Sequence, residues 1–111
     1  MTNILIGTKH AKIVTIMVDL PHAALVHAMA TAHTRYWCGK KSLRSGWRVI
    51  ETNNGADERT YDVSLMDLAR GASLLARIAP IHFGYLINDR ADADTGDLLL
   101  QLSIFGEIKY S

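Results

Sequence analysis

The sequence predicts a small α+β domain in which an antiparallel sheet of three or four strands, including a central hairpin, packs against about three helices. Strand-like segments with a period of two give way to segments with a helical period, and an Asn-Gly pair separates two of the strand-like segments. Because strands and helices do not alternate regularly, antiparallel pairing is favoured over a parallel sheet. The 111 residues fit one domain, residues 1–111.

The composition narrows the class of protein. Apolar residues make up 49% and charged residues 21% of the chain, which is a globular balance and not that of a disordered protein. The net charge of +1 argues against a general attraction to nucleic acid and leaves room only for a local one. A single cysteine, no basic leader and no apolar run of about 18 residues favour a cytoplasmic protein outside the membrane.

The first third of the chain predicts two strands and a helix. Residues 3–6 are typical of a short edge strand, and residues 11–20, β-branched and apolar on both faces, of a well-covered central strand. Pro21 suits the first position of a helix over residues 21–35. The residues at core spacing in that helix are Leu25, Ala28, Met29 and Ala32, and its alanine-rich face would allow close approach to the sheet.

The middle of the chain predicts hairpins. Residues 43–50 have the pattern of two strands with a turn at Ser45 and Gly46, and residues 53–57 have the pattern of a second turn because Asn-Gly tolerates positive φ values. Residues 59–63 would return as a strand. Its inward side chains would be Tyr61 and Val63, followed by Leu65.

The last part predicts three helices. Ser64 followed by Asp67 indicates the start of a helix that runs to Ile78 and is stopped by Pro80. The expected buried residues of this helix are Leu68, Ala72, Leu75 and Ile78, with Gly71 on the same stripe. A short helix over residues 81–87 and an acidic loop follow, and then a helix over residues 95–108 capped by Asp94 or Thr95, with Asp97 in its first turn.

The last helix carries more apolar residues than one buried stripe requires. They are Leu98, Leu99, Leu100, Leu102, Ile104 and Phe105. This surplus predicts a homo-oligomer, with a dimer as the expected form.

Cations and aromatic rings gather where the first helix meets the hairpin. The candidate binding residues are Arg35, Tyr36, Trp37, Lys40, Lys41, Arg44, Trp47 and Arg48. Rings beside cations suit an accessible surface that holds a charged ligand, a nucleotide or a protein partner. In the alternative interpretation, at least one indole belongs to the core and the charges form its solvated rim.

Catalytic and metal-binding signals are weak. Cys38 lies near cations that would lower its pKa and activate it as a nucleophile, but an unreactive packed cysteine is the alternative. His22, His27 and His33 are five and six residues apart, so neighbouring ones do not share a helix face. The aspartates of residues 89–97 lack the glycine and glutamate of a calcium loop. The sequence therefore predicts no metal, no cofactor and no enzymatic activity.

Three motifs carry a resemblance to a protein family. They are Tyr-Trp-Cys-Gly at residues 36–39, the segment from Thr60 to Asp67, and the pattern of residues 97–110, which contains Leu-Gln-Leu and Phe-Gly-Glu-Ile before Tyr110. Over about residues 20–110, the chain resembles a family, uncharacterised in function, of small accessory proteins encoded by tailed phages and prophages. Members of that family tend to carry two glycines ahead of the Tyr-Trp pair, where this chain has residues 31–35 and an expected longer helix.

The resemblance implies a setting and not a reaction. It favours a non-enzymatic accessory protein in the cytoplasm of a bacterial host that antagonises a host defence system. Such a protein would act on a host protein partner or sequester a small charged ligand. The alternative is a virion-assembly or nucleic-acid-associated phage protein, which would be found in purified particles or would bind DNA in a salt-sensitive way.

Overall fold

The α+β class is confirmed in a computed structural model of the chain, which describes residues 2–7, 15–34, 37–52 and 58–110. The described part contains a two-stranded antiparallel sheet, a three-stranded antiparallel sheet and four helices. The strands are β1 (Thr2–Gly7), β2 (Thr15–Leu20), β3 (Cys38–Leu43), β4 (Gly46–Glu51) and β5 (Arg59–Ser64). The helices are α1 (His22–Thr31), α2 (Leu65–Ile78), α3 (Pro80–Ile87) and α4 (Ala93–Phe105).

The first two strands form a sheet of their own. β1 pairs with β2 from Thr2 opposite Leu20 to Gly7 opposite Thr15, which confirms the predicted strand at residues 3–6. The central position predicted for the second strand is wrong in the described part of the chain, since β2 pairs there with β1 alone. The other strand of this sheet, β1, packs against α2. Residues 11–14 of the predicted strand lie outside the described residues.

Helix α1 is shorter than predicted. Pro21 is extended and precedes the helix, and Ala32 is extended again (φ −58°, ψ 134°), so the helix ends at Thr31 and not at residue 35. The chain leaves the helix because the N–H of His33 donates to the carbonyl oxygen of Ala93 at 3.1 Å. The alanine-rich face packs on α4 and not on a sheet, since a methyl group at Gly96 would overlap Ala28.

The three-stranded sheet is a meander in the order β3-β4-β5. Leu43 pairs with Gly46, so the first turn is at Arg44 and Ser45, one residue earlier than predicted. Gly46 has a φ of 155°, and a side chain there would overlap the backbone of Val63, which explains the glycine. The turn predicted at residues 53–57 lies outside the described residues, although β4 and β5 on either side of it pair antiparallel as predicted.

Helix α2 begins and packs as its sequence indicates. The Ser64 side chain accepts from the N–H of Asp67 at 3.1 Å and the Asp67 carboxylate accepts from the N–H of Ser64 at 2.9 Å, which forms the predicted capping box. Leu68, Ala72 and Leu75 are buried as expected. The prediction for Ile78 is wrong, because its side chain is 52% exposed at the end of the helix.

Helix α4 is the centre of the fold and contacts α1, α2, α3 and β5. It is capped by Asp92 and not by Asp94 or Thr95, because the Asp92 carboxylate accepts from the N–H of Thr95 at 2.8 Å. Gly106, in the left-handed conformation with a φ of 72°, ends it. Asp97 is consequently past the first turn, where it is buried.

The apolar residues of α4 are used within one chain. Leu99, Leu100 and Leu102 are buried, and Leu98, Ile104 and Phe105 are partly buried against the core. The surplus of apolar residues on α4 is therefore explained within one chain, and the homo-oligomer inferred from it stays a prediction. A helix surrounded by four other elements needs apolar side chains on most of its circumference.

We expect Gly96→Ala to lower the free energy of unfolding by roughly 1–3 kcal/mol, the usual cost of overpacking. The added methyl group would overlap the Ala28 carbonyl oxygen and lie 2.7 Å from the Ala32 Cα atom. Urea unfolding measures this change. Gly39→Ala is the control, because no described atom lies within 4 Å of its added methyl group. Equal stability of the two variants would contradict the close packing of α1 on α4.

Candidate functional site

Trp37 directly precedes β3, and its side chain is completely buried. Its indole N–H donates to a carboxylate oxygen of Asp97 at 2.7 Å, and its ring stacks on the Tyr110 ring at 5.1 Å with an interplanar angle of 12°. Phe105 packs against the same indole at 5.6 Å. The expectation that at least one indole belongs to the core is confirmed, and Trp37 is not part of an accessible binding surface.

Gln101 attaches the C-terminal segment to this buried ring cluster. Its amide nitrogen donates to the Tyr110 carbonyl oxygen at 2.8 Å and to the Asp97 carboxylate at 3.3 Å. Its amide oxygen accepts from the backbone N–H groups of Lys109 at 2.9 Å and of Tyr110 at 2.7 Å. All four hydrogen-bonding positions of the side chain are therefore occupied.

Glu51, at the end of β4, holds the other side of the same segment. Its carboxylate is buried and accepts from the Lys109 ammonium group at 2.8 Å, from the Tyr61 hydroxyl at 3.1 Å and from the Tyr110 hydroxyl. The hydrogen bond from Lys109, followed by that from Tyr110, lowers the pKa of Glu51, and the same contacts with Glu51 raise the pKa values of Lys109 and Tyr110. We call Trp37, Glu51, Asp97, Gln101, Phe105 and Tyr110 the C-terminal latch.

The candidate binding residues divide between the two faces of the three-stranded sheet. Val49 and Glu51 are buried while Arg48 and Ile50 are exposed, so side chains in phase with Arg48 point away from the core. Lys40 has the phase of the inner face, and its ammonium group donates to the Ala32 carbonyl oxygen at 3.3 Å. Trp47 is also on the inner face and is half-buried against the core.

The remaining cations lie on the solvent side. Lys41, Arg48 and Asp62 are paired across β3, β4 and β5 in one row, and all three are exposed. The Arg48 guanidinium forms an ion pair with Asp62 at 2.9 Å. Arg44 is exposed in the adjoining turn. We call Lys41, Arg44, Arg48, Ile50, Thr60 and Asp62 the outer face; Arg35 and Tyr36 lie outside the described residues.

Cys38 does not have the environment of an activated nucleophile. It is buried at the start of β3, and burial raises the pKa of its thiol. A hydrogen bond with Thr34 lowers the same pKa, but its effect is smaller than that of burial. The expected lowering by neighbouring cations is therefore wrong, because desolvation of the thiolate outweighs them. In the described segments, no group of three or more histidine, cysteine, aspartate and glutamate side chains is placed to hold a metal ion.

An open cleft of about 460 Å³ lies between α3, α4 and the C-terminal segment. His33, His82, Asp94 and Asp97 line it together with apolar side chains. The His82 Nδ1 atom is 2.7 Å from the Thr95 hydroxyl, so one imidazole nitrogen is already engaged within the fold. The cleft brings two of the five histidines together without forming a metal centre.

Comparison with protein families, curated proteins and solved structures finds no match to this chain. No helix in the described residues is long and apolar enough to cross a membrane.

The C-terminal latch was not predicted, although two signals in the sequence indicate it. Asp97 and Gln101 are polar residues one turn apart that enclose three consecutive leucines of α4, which is the signal of a buried hydrogen-bonded pair. Glu51 has the same phase in its strand as buried Val49, which is a second signal of an inward carboxylate.

We expect Gln101→Leu to lower the free energy of unfolding by roughly 1–3 kcal/mol, because buried backbone groups of the C-terminal segment lose their hydrogen bonds. The same variant should become more sensitive to carboxypeptidase, since residues 108–110 are no longer attached. Ser103→Ala is the control, as its hydroxyl donates only to the Leu99 carbonyl oxygen within α4. A resistant and fully stable Gln101→Leu protein would contradict the latch.

We expect the contribution of Glu51 to stability to be lost in acid. Its folded pKa lies below the unfolded value of about 4.3, so the contribution is complete above that pH and falls as the pH decreases through the folded pKa. Urea unfolding of the wild type and of Glu51→Gln from pH 7 to pH 3 measures this. The wild type should have a higher free energy of unfolding than Glu51→Gln at pH 7. This difference between the two proteins should decrease toward pH 3. A difference that is constant with pH would contradict this assignment.

Proposed function

We propose that this chain is a non-enzymatic phage or prophage accessory protein that binds an acidic surface of a host protein through the outer face. The resemblance described above supplies the phage context, and the expected effect of binding is to antagonise a host defence system in the bacterial cytoplasm. The observation that carries the proposal is the exposure of Lys41 and Arg48 on the side of the sheet opposite the core, with Arg44 exposed in the adjoining turn.

The chemistry of the outer face favours a protein over a small charged ligand. Ile50 is 36% exposed beside the cationic row and Thr60 lies next to it on β5, so apolar, polar and charged groups are mixed on one surface. Such mixed surfaces are typical of protein interfaces, where arginine and apolar side chains are combined. Small ligands are usually enclosed by concave pockets, in contrast to one face of a sheet.

Nucleic acid fits this face less well. Asp62 carries a negative charge within the cationic row and forms an ion pair with the Arg48 guanidinium. The net charge of the chain is only +1. Binding to a phosphate backbone depends on several cations that act together. A protein surface needs fewer cations, because apolar and hydrogen-bonding groups contribute to its binding as well.

A purely structural explanation of the lysines also exists. β3 is an edge strand of its sheet, and lysines on edge strands prevent pairing between molecules. A glutamate at the same position would protect the edge equally well, whereas it would repel an acidic partner. Charge reversal therefore separates protection of the edge from binding.

We expect the double variant Lys41→Glu, Arg44→Glu to bind the host partner at least tenfold more weakly, because two attractive charges become repulsive. The partner is identified by affinity capture with mass spectrometry from host lysate treated with nuclease, and its affinity is then measured with purified protein at several salt concentrations. Arg70→Glu, Arg90→Glu is the control with the same change in net charge on the helical side. Unchanged affinity of the first double variant would refute the proposal.

The same variants test the biological effect. Expression of the wild type in a bacterium that carries defence systems should raise the plating efficiency of a sensitive phage, and the Lys41, Arg44 variant should not. A nuclease-sensitive, salt-dependent complex would favour the nucleic-acid alternative. Recovery of the protein from purified virions would favour an assembly role.

A further inference from the structure

The α3 helix presents an apolar face to solvent. Ile81 is 70% exposed and Tyr85, four residues later on the same side, is 40% exposed. Ile78, at the end of α2, is 52% exposed and precedes this face directly. The opposite side of α3 is buried through Phe83 and Leu86. The short helix is therefore apolar on both sides, although only one side has a partner within the described part of the protomer.

Gly84 lies on the exposed side, between Ile81 and Tyr85. Glycine in the interior of a helix is less favourable than alanine, so its presence needs a reason. At Gly71 and Gly96 the reason is internal, since an added methyl group would overlap α4 and α1 respectively. At Gly84 no described atom lies within 4 Å of the added methyl position. Nothing in the described part of the protomer requires this glycine.

We propose that the Ile78, Ile81, Gly84 and Tyr85 face of α3 is the contact surface for a second copy of this chain. A glycine flanked by large apolar residues allows the backbones of two helices to approach closely while side chains interlock on either side. In a two-fold pair with antiparallel α3 helices that cross at Gly84, Ile81 of one protomer would pack against Tyr85 of the partner subunit. A face that carries both protruding apolar side chains and the space beside a glycine can be complementary to the same face of a second copy.

The charges at the two ends of α3 agree with this arrangement. Exposed Arg77 precedes the helix and exposed Asp89 follows it, and in the described chain neither of them forms an ion pair. An antiparallel pair would place Arg77 near Asp89 of the partner subunit, twice by symmetry. Arg90, also exposed, directly follows Asp89, and its positive charge weakens the attraction between Asp89 and an arginine of the other copy.

The size of the face indicates a weak dimer. The exposed apolar side chains form a patch on the order of a few hundred Å², which is the size of the largest patch on a typical monomer, and such patches are often functional. Stable complexes bury about 800 Å² per partner, so the patch suits association in the micromolar range. The proposed dimer surface is separate from the outer face, so the proposal of a dimer does not depend on the proposal of a host partner.

The effect of Gly84→Ala on association distinguishes a face that is always open to solvent from a face that binds a second copy. If the face is open to solvent in all states, alanine only strengthens the helix and the variant is a more stable protein with unchanged association. If two copies meet at Gly84, the methyl group separates them. We expect a higher melting temperature at nanomolar concentration, together with at least a tenfold weaker dimer by analytical ultracentrifugation. A wild type that is monomeric at about 100 µM would overturn the proposal.

A second variant tests the apolar contact between the two copies. Ile81→Glu should abolish association, and Met66→Glu is its control, because Met66 is 73% exposed on the first turn of α2, outside the proposed face. Near-ultraviolet circular dichroism at low concentration establishes that both variants are folded. Association that persists in both Gly84→Ala and Ile81→Glu would also overturn the proposal.

Discussion

The buried hydrogen bond from the Trp37 indole to the Asp97 carboxylate joins positions 60 residues apart and determines where the three-stranded sheet meets the last helix. A carboxylate in the interior is stable only when donors surround it, and Trp37 and Gln101 supply two of them. Gln101 uses its remaining capacity to hold the backbone of the C-terminal segment, so that the Tyr110 ring reaches the indole. Sheet, helix and terminus are thus positioned by one connected polar network inside an apolar core.

This network also decides which side of the sheet is available to other molecules. Glu51 points inward and attaches Lys109 and Tyr110, so the inner face is closed by the chain's own C-terminal segment. The alternation of the strands then places Lys41 and Arg48 on the opposite side, where no described helix covers them. The cations on the solvent side and the buried Trp37 indole are close in sequence but lie on opposite sides of the sheet. The binding role proposed for the outer face rests on this separation.

The helical layer is compact because small residues lie where helices cross. Gly71 faces Ser103 and the Leu99 carbonyl oxygen, and Gly96 faces α1, so α4 approaches two neighbours more closely than larger side chains would permit. This close packing consumes the apolar surplus of α4 that suggested a dimer from the sequence. Several of the large apolar side chains that stay exposed lie on or directly before α3, whose sequence is too short to show by periodicity which side it buries. The proposed contact between copies accordingly lies on this short helix and not on α4.

Local features of the sequence determined much of this protein. The Ser64 and Asp67 capping box and Pro80 between two helices were predictable, because caps and breakers act over a few residues. The end of α4 at Gly106 was not, since the helix predicted over residues 95–108 runs past this glycine. Only the tertiary structure decided that Trp37 is interior, that Asp92 caps α4 and that Cys38 is desolvated. Each of these depends on contacts between distant segments, and a charge count along the chain carries no information about which face of a sheet is covered.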